Sequence, residues 1–116
     1  MIEPRARERG AAAIEMASLI PILILAGLVA LQVGIAGWAM VATGQAARDG
    51  ARAQSLGDDP AAAVEAALPG ALVPQPGTGG SHTAKGYRQT VVVKVPSLLP
   101  FEVGSVTRTA EMPDLP

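Results

Sequence analysis

Residues 16–47 form the uncharged stretch MASLIPILILAGLVALQVGIAGWAMVATGQAA, which decides the fold of this chain. A transmembrane helix needs about 20 apolar residues, since each residue rises about 1.5 Å and the hydrocarbon core is about 30 Å thick. The stretch is longer than that requirement. We therefore predict a helix over residues 11–56 that crosses the membrane and extends beyond it.

Charges on either side of this stretch predict its orientation. Arg5, Arg7 and Arg9 precede it, and Arg48 and Arg52 follow it. Basic residues favour the cytoplasmic side, so the N-terminus is predicted inside. The expected localisation is the cytoplasmic membrane, in a single pass with the C-terminus outside.

Composition excludes several classes of protein. The 116 residues contain no Cys and one His, and the formal net charge is -1. Zinc modules and disulfide scaffolds need ligands or thiols that are absent, so neither a metal nor another cofactor is expected. Binding of nucleic acid is not expected either, because it usually requires a basic face.

Residues 57–116 are predicted to form a small extracytoplasmic domain. Asp59 followed by Pro60 is typical of a helix start, and it predicts a short helix over residues 61–68. Residues 73–86 are rich in Pro and Gly in their first half and predict a flexible loop.

Alternating side chains over residues 87–95 give the clearest strand signal in the chain. Tyr87, Gln89, Val91, Val93 and Val95 share one predicted face. A turn at residues 96–100 leads to a second predicted strand over residues 101–110, with an irregularity near Gly104. An isolated hairpin is marginal in water and needs a covering element. The predicted fold class is α+β: a long N-terminal helix followed by a short helix and a β-hairpin.

Candidate catalytic groups do not form a convincing site. The glycine-rich residues 77–81 lack the Lys-Ser/Thr pair of a phosphate-binding loop. Ser81 and His82 are neighbours without an evident orienting acid. Asp58 and Asp59 are assigned to helix capping. No catalytic residue is predicted, and the chain is not expected to be an enzyme.

Two segments at the ends of the apolar stretch carry a family resemblance. RGAAAIE at residues 9–15 places Glu15 fifth after Gly10, which resembles the class III signal of type IV prepilins. Together with Pro21 and QAARDGAR at residues 45–52, this pattern is similar to the TadE-like pseudopilins of tight-adherence pilus systems. The resemblance covers roughly residues 9–56.

The resemblance implies a processing site and an assembly residue. A prepilin peptidase would remove a leader of residues 1–10 by cutting between Gly10 and Ala11. Glu15 would then pair with the new α-amino group of its own chain or of a neighbour. The implied partners are this peptidase and other pilins and pseudopilins, which would contact the N-terminal helix in the membrane and in an extracellular pilus.

Small residues add a predicted helix-packing surface. At about 100° per residue, five of them fall within roughly a third of the helix circumference, where another helix can approach closely. These residues, called the small-residue stripe below, are Gly27, Ala30, Gly34, Gly37 and Gly44.

Two alternative hypotheses remain open from the sequence. One is an unprocessed bitopic accessory protein whose helix binds a larger membrane complex. The other is a secreted binding module that is cut after an ordinary signal peptide near Gly37-Trp38-Ala39, although the apolar stretch is long for such a peptide.

Overall fold

The computed structural model describes the backbone of residues 3–113 and the side chains of residues 8–113. The side chains of Arg5 and Arg7, on which the predicted orientation partly depends, lie outside the described residues. The described chain forms helix α1 (Glu3–Ser55), helix α2 (Pro60–Ala67) and strands β1 (Gly79–Thr83), β2 (Gly86–Lys94) and β3 (Ser105–Pro113). The predicted α+β class is confirmed.

Helix α1 includes the whole apolar stretch. It begins before the predicted start at residue 11 and continues through Pro21 and the predicted leader boundary at Gly10. By length and composition, the portion Glu8–Ser55 is a candidate membrane span. A boundary between two compact units falls inside α1, between Val33 and Gly34.

The first unit contributes an apolar surface with little cover. Among the side chains of residues 8–33, the large apolar ones are all exposed, with exposed fractions of 36% to 73%. They are Ile14, Met16, Leu19, Ile20, Ile22, Leu23, Ile24, Leu25, Leu28, Val29, Leu31 and Val33. A continuous exposed apolar surface of this kind marks a membrane or protein contact.

The second unit takes residues 34–55 of α1 into its own core, whereas the sequence placed the domain boundary after residue 56. Ala39, Ala46 and Ala47 are completely buried. They pack in one cluster with side chains of α2, of the following loop and of β2, namely Val64, Leu68, Leu72, Val91, Val93 and Val95. Alanines on the helix let the sheet approach closely, so this end of α1 is the cover that the predicted hairpin needed.

Helix α2 follows the predicted capping pattern. The Asp59 carboxylate accepts a hydrogen bond from the Ala61 amide at 3.0 Å, and Pro60 occupies the first turn. This bond satisfies one of the free amides at the helix start. Val64 is the side chain of α2 that is almost completely buried.

The sheet has three antiparallel strands in the order β1-β2-β3. The predicted alternation along β2 is confirmed, and the structure shows that the face with Tyr87, Gln89, Val91, Val93 and Val95 is the buried one. β3 starts at Ser105, after Gly104 with φ of 133°, a conformation that favours glycine. The irregularity predicted near Gly104 therefore ends the turn and does not lie within a strand.

The prediction of a loop over residues 73–86 is wrong at residues 79–83, which form β1. Gly79 pairs with Thr90, and Thr83 pairs with Gly86 across a tight turn. The segment GGSHT has low intrinsic strand preference, but β2 offers it a free edge for hydrogen bonding. Pairing with β2 therefore overrides the local preference for a loop.

Candidate functional site

The predicted processing and assembly residues lie on the exposed helix of the first unit. Gly10 and Glu15 are both exposed. A Cβ atom built on Gly10 would meet no other atom within 4 Å apart from its local helix backbone. Ser18 Oγ donates a hydrogen bond to the backbone carbonyl of Glu15 at 2.8 Å. This bond does not involve the Glu15 carboxylate.

The Glu15 carboxylate has no cationic neighbour on its own helix turn. Positions three and four residues away hold Ala11, Ala12, Ser18 and Leu19. These are the positions whose side chains meet on a helix surface. Among the side chains of residues 8–113, no ion pair with Glu15 is present. An ionisable group beside an apolar span in this situation is a functional candidate.

Glycines of the small-residue stripe divide between open and covered positions. Cβ atoms built on Gly27, Gly34 and Gly37 would meet nothing within 4 Å beyond the local helix. At Gly44 a built Cβ would lie 3.4 Å from two guanidinium nitrogens of Arg108 in β3. Gly44 is thus covered by the chain's own sheet, and whether the stripe packs another helix stays a prediction.

Gly37 and Gly44 also line a shallow hollow in the second unit. Its volume is about 380 Å³, and its charged lining residues are Arg48 and Arg108. Arg48 donates a hydrogen bond to Gln45 Oε1 at 3.0 Å, which holds its guanidinium along the helix. Sequence reasoning missed this hollow, because the position of Arg108 depends on the pairing register of β2 and β3.

The second segment that carries the family resemblance is QAARDGAR at residues 45–52. One face of this helical segment is buried by packing, and the other face is polar. Ala46, Ala47 and Ala51 are completely buried. Gly50 faces α2 and β2, since a built Cβ would lie 2.7 Å from Val64 Cγ2 and 2.9 Å from Gln89 Cγ. The small residues of this segment therefore let α2 and the sheet dock on α1.

An open groove of about 470 Å³ lies between α2 and the segment that leads into β1. Tyr87 and Gln89 form its floor, and the Tyr87 hydroxyl donates to Gln89 Oε1 at 3.1 Å. Glu65 is the charged residue of its lining. This groove could not be predicted from the sequence, because its walls come from three separate segments.

Candidate catalytic groups are not brought together. Ser81 and His82 are consecutive residues of β1, so their side chains point to opposite faces of the strand. The His82 ring instead packs edge-on against Tyr87, with ring centroids 5.2 Å apart. Asp59 caps α2, as predicted.

Comparison with known proteins finds one family match. The family model described as TadE, TadE-like protein, matches residues 10–52. No curated protein and no solved structure matches the chain. The matched segment starts at Gly10, includes Glu15 and the exposed apolar helix, and ends with the segment that packs against the sheet. Residues 10–52 of this chain are therefore similar to TadE-like proteins, the family of tight-adherence pilus systems that the two sequence segments resemble.

Proposed function

We propose that the chain is a structural or accessory pseudopilin of a tight-adherence pilus, processed by a prepilin peptidase and anchored with its C-terminal unit outside the cytoplasm. The observation that carries this proposal is the exposed apolar surface of α1 that begins beside the Gly10–Glu15 pattern. An apolar helix surface of this kind is stable in a bilayer and can pack later against the same surface of other subunits.

Processing would follow from the exposed position of Gly10. A glycine lets the backbone enter a narrow peptidase cleft, because no side chain obstructs it. The cut would leave Ala11 as the first residue, with its α-amino group one helix turn before Glu15. The two opposite charges would then lie close enough to interact.

We expect the membrane-extracted protein to have the mass of a chain that starts at Ala11. Intact-mass spectrometry measures this directly. Gly10→Val should retain the full mass, since the added side chain obstructs the cleft. A wild-type chain that keeps Met1 would contradict processing and favour an unprocessed bitopic protein, whereas a start near Met40 would favour secretion.

A specific observation favours the unprocessed alternative as the second candidate. Helix α1 already extends from Glu3 through Gly10, so the leader and the span form one continuous helix. In that alternative, the open positions at Gly34 and Gly37 would bind a helix of a larger membrane complex.

We expect trypsin added to intact spheroplasts to cut the C-terminal unit. Lys85 is the most suitable site, because it is exposed in the turn between β1 and β2. Arg88 and Lys94 are held within β2 and paired with Glu111 and Glu102, so they should be cut more slowly. Immunoblotting of the C-terminal fragment, beside a cytoplasmic marker, measures the result.

Lys85→Gln supplies the matched control for this digestion. It should slow the first cut without altering the orientation. Complete protection of the wild-type unit in intact spheroplasts, with cutting after lysis, would contradict an external C-terminus.

A further inference from the structure

The loop between β2 and β3 presents apolar side chains to the surface. Residues 96–104 read PSLLPFEVG, and Leu98, Phe101 and Val103 are exposed to 47%, 63% and 41%. Exposed loops usually carry polar residues and glycine at their tips. The exposed apolar side chains of this loop are therefore unusual, and they indicate a surface that contacts another apolar surface.

Internal hydrogen bonds give the loop a defined conformation. Ser97 Oγ donates to the Phe101 carbonyl at 2.7 Å and accepts from the Leu99 amide at 3.1 Å. The Val95 amide donates to the Gly104 carbonyl at 3.0 Å and closes the base. Because these backbone groups bond inside the loop, its outer surface is left to the apolar side chains.

The loop carries no unbalanced charge. Glu102 is the one charged residue in its sequence. Its carboxylate forms an ion pair with Lys94 Nζ at the end of β2. The pair lowers the electrostatic cost of bringing this end of the unit to a less polar environment.

Within the C-terminal unit, the direction of β2 brings the loop toward the beginning of the portion of α1 that starts at Gly34. Gly50 lies against Gln89, whereas Gly44 lies against Arg108, the β3 partner of Val91. Later residues of β2 therefore lie beside earlier residues of α1. From Gln89 to Val95 the strand advances about 20 Å, which equals about 13 residues of helix. The loop thus starts approximately level with Trp38.

That level coincides with the expected outer membrane boundary. A hydrocarbon core of about 20 helix residues that starts at Met16 ends near Ile35. Trp38 comes one turn later and is 43% exposed. Tryptophan is enriched at the membrane–water interface because its ring is apolar and its N–H is polar.

We propose that residues 96–104 form a membrane-contact loop that inserts Leu98 and Phe101 into the outer interface of the bilayer beside Trp38. This inference rests on the proposed function, because it requires α1 to be inserted in a membrane. The loop then fixes the C-terminal unit against the lipid surface by a second contact, in addition to the helix.

Depth-dependent quenching of tryptophan fluorescence tests the loop. The full chain is placed in phospholipid bilayer discs that hold one copy each, with or without brominated acyl chains. Trp38 is the natural single tryptophan, and W38F/F101W moves the fluorophore to the loop. The matched control is W38F/L56W, since Leu56 is 65% exposed and lies at the far end of α1.

We expect bromination to lower the emission of Trp38 and of the loop tryptophan about twofold, as side chains that reach the acyl boundary require. The control tryptophan at residue 56 should be unaffected. If Trp38 is quenched and the loop tryptophan behaves like the control, the loop inference is wrong while membrane insertion stands. If Trp38 itself is not quenched, the proposed membrane placement fails and the inference fails with it.

A second copy of the chain is the competing cover for the loop. In that case the loop tryptophan would be unquenched in single-copy discs, and its emission would shift to shorter wavelength only when several copies share a vesicle. This result would overturn the lipid contact and assign the loop to a subunit interface.

Discussion

Glu15→Gln is expected to abolish stable co-purification of the chain with other pilins while leaving membrane insertion and cutting at Gly10 unchanged. Glutamine keeps the size and most of the hydrogen-bonding capacity but removes the charge. If the carboxylate pairs with an α-amino group in the assembly, its loss leaves that cation unpaired in a poorly solvated site. Such a loss costs about 3 kcal/mol, or roughly a hundredfold in affinity. Affinity capture of tagged pilins from detergent extracts measures it.

The matched control is Glu65→Gln, on the exposed surface of α2. An exposed carboxylate contributes little to stability, so this variant should assemble like the parent chain. Glu65 also lines the groove of the C-terminal unit, and equal assembly would show that its charge is not needed there. Normal assembly of Glu15→Gln would contradict the pairing hypothesis and leave Glu15 as an interfacial residue only.

The long helix and the alternation along β2 could be predicted because each has a local pattern. The uncharged residues 16–47 are too numerous for any globular helix of ordinary composition. Alternation in β2 assigns Val91 and Val93 to one face, and both are completely buried. These patterns depend on the chain's own periodicity, so no knowledge of tertiary contacts is required.

β1 and the inner side of the C-terminal unit could not be predicted, because they depend on contacts between distant segments. Gly80 has no strand preference of its own, but it lies directly over the Tyr87 side chain. Arg108 appears in the sequence as an ordinary strand residue. Its contact with Gly44 exists only because Val91 and Arg108 are partners in the β2–β3 register.

The candidate functional residues also divide into those that a local sequence pattern identifies and those that depend on contacts between distant segments. The spacing of Gly10 and Glu15 resembles that of a prepilin signal, and the family match covers both residues. Their proposed roles in processing and assembly require other chains and therefore stay predictions. The apolar residues 98 and 101 are visible in the sequence, but their level beside Trp38 follows from the direction in which β2 packs on α1.

Gly50→Leu is expected to destabilise the C-terminal unit by about 3 kcal/mol, because the position has no room for a side chain. A built Cβ would already lie 2.7 Å from Val64 Cγ2 and 2.9 Å from Gln89 Cγ. Leucine would favour the helix itself by roughly 1 kcal/mol. The steric cost is larger, since both neighbours are buried and α2 would have to move away from α1.

Thermal unfolding in detergent, followed by tryptic cutting within the C-terminal unit, measures this effect. A loss of about 3 kcal/mol should lower Tm by on the order of 15 °C for a unit of this size. Gly34→Leu is the matched control, because its built Cβ meets nothing within 4 Å beyond the local helix. That variant should keep the parent Tm even if it impairs packing between helices. Equal Tm values for Gly50→Leu and the parent chain would show that α2 and the sheet do not dock on α1 at Gly50.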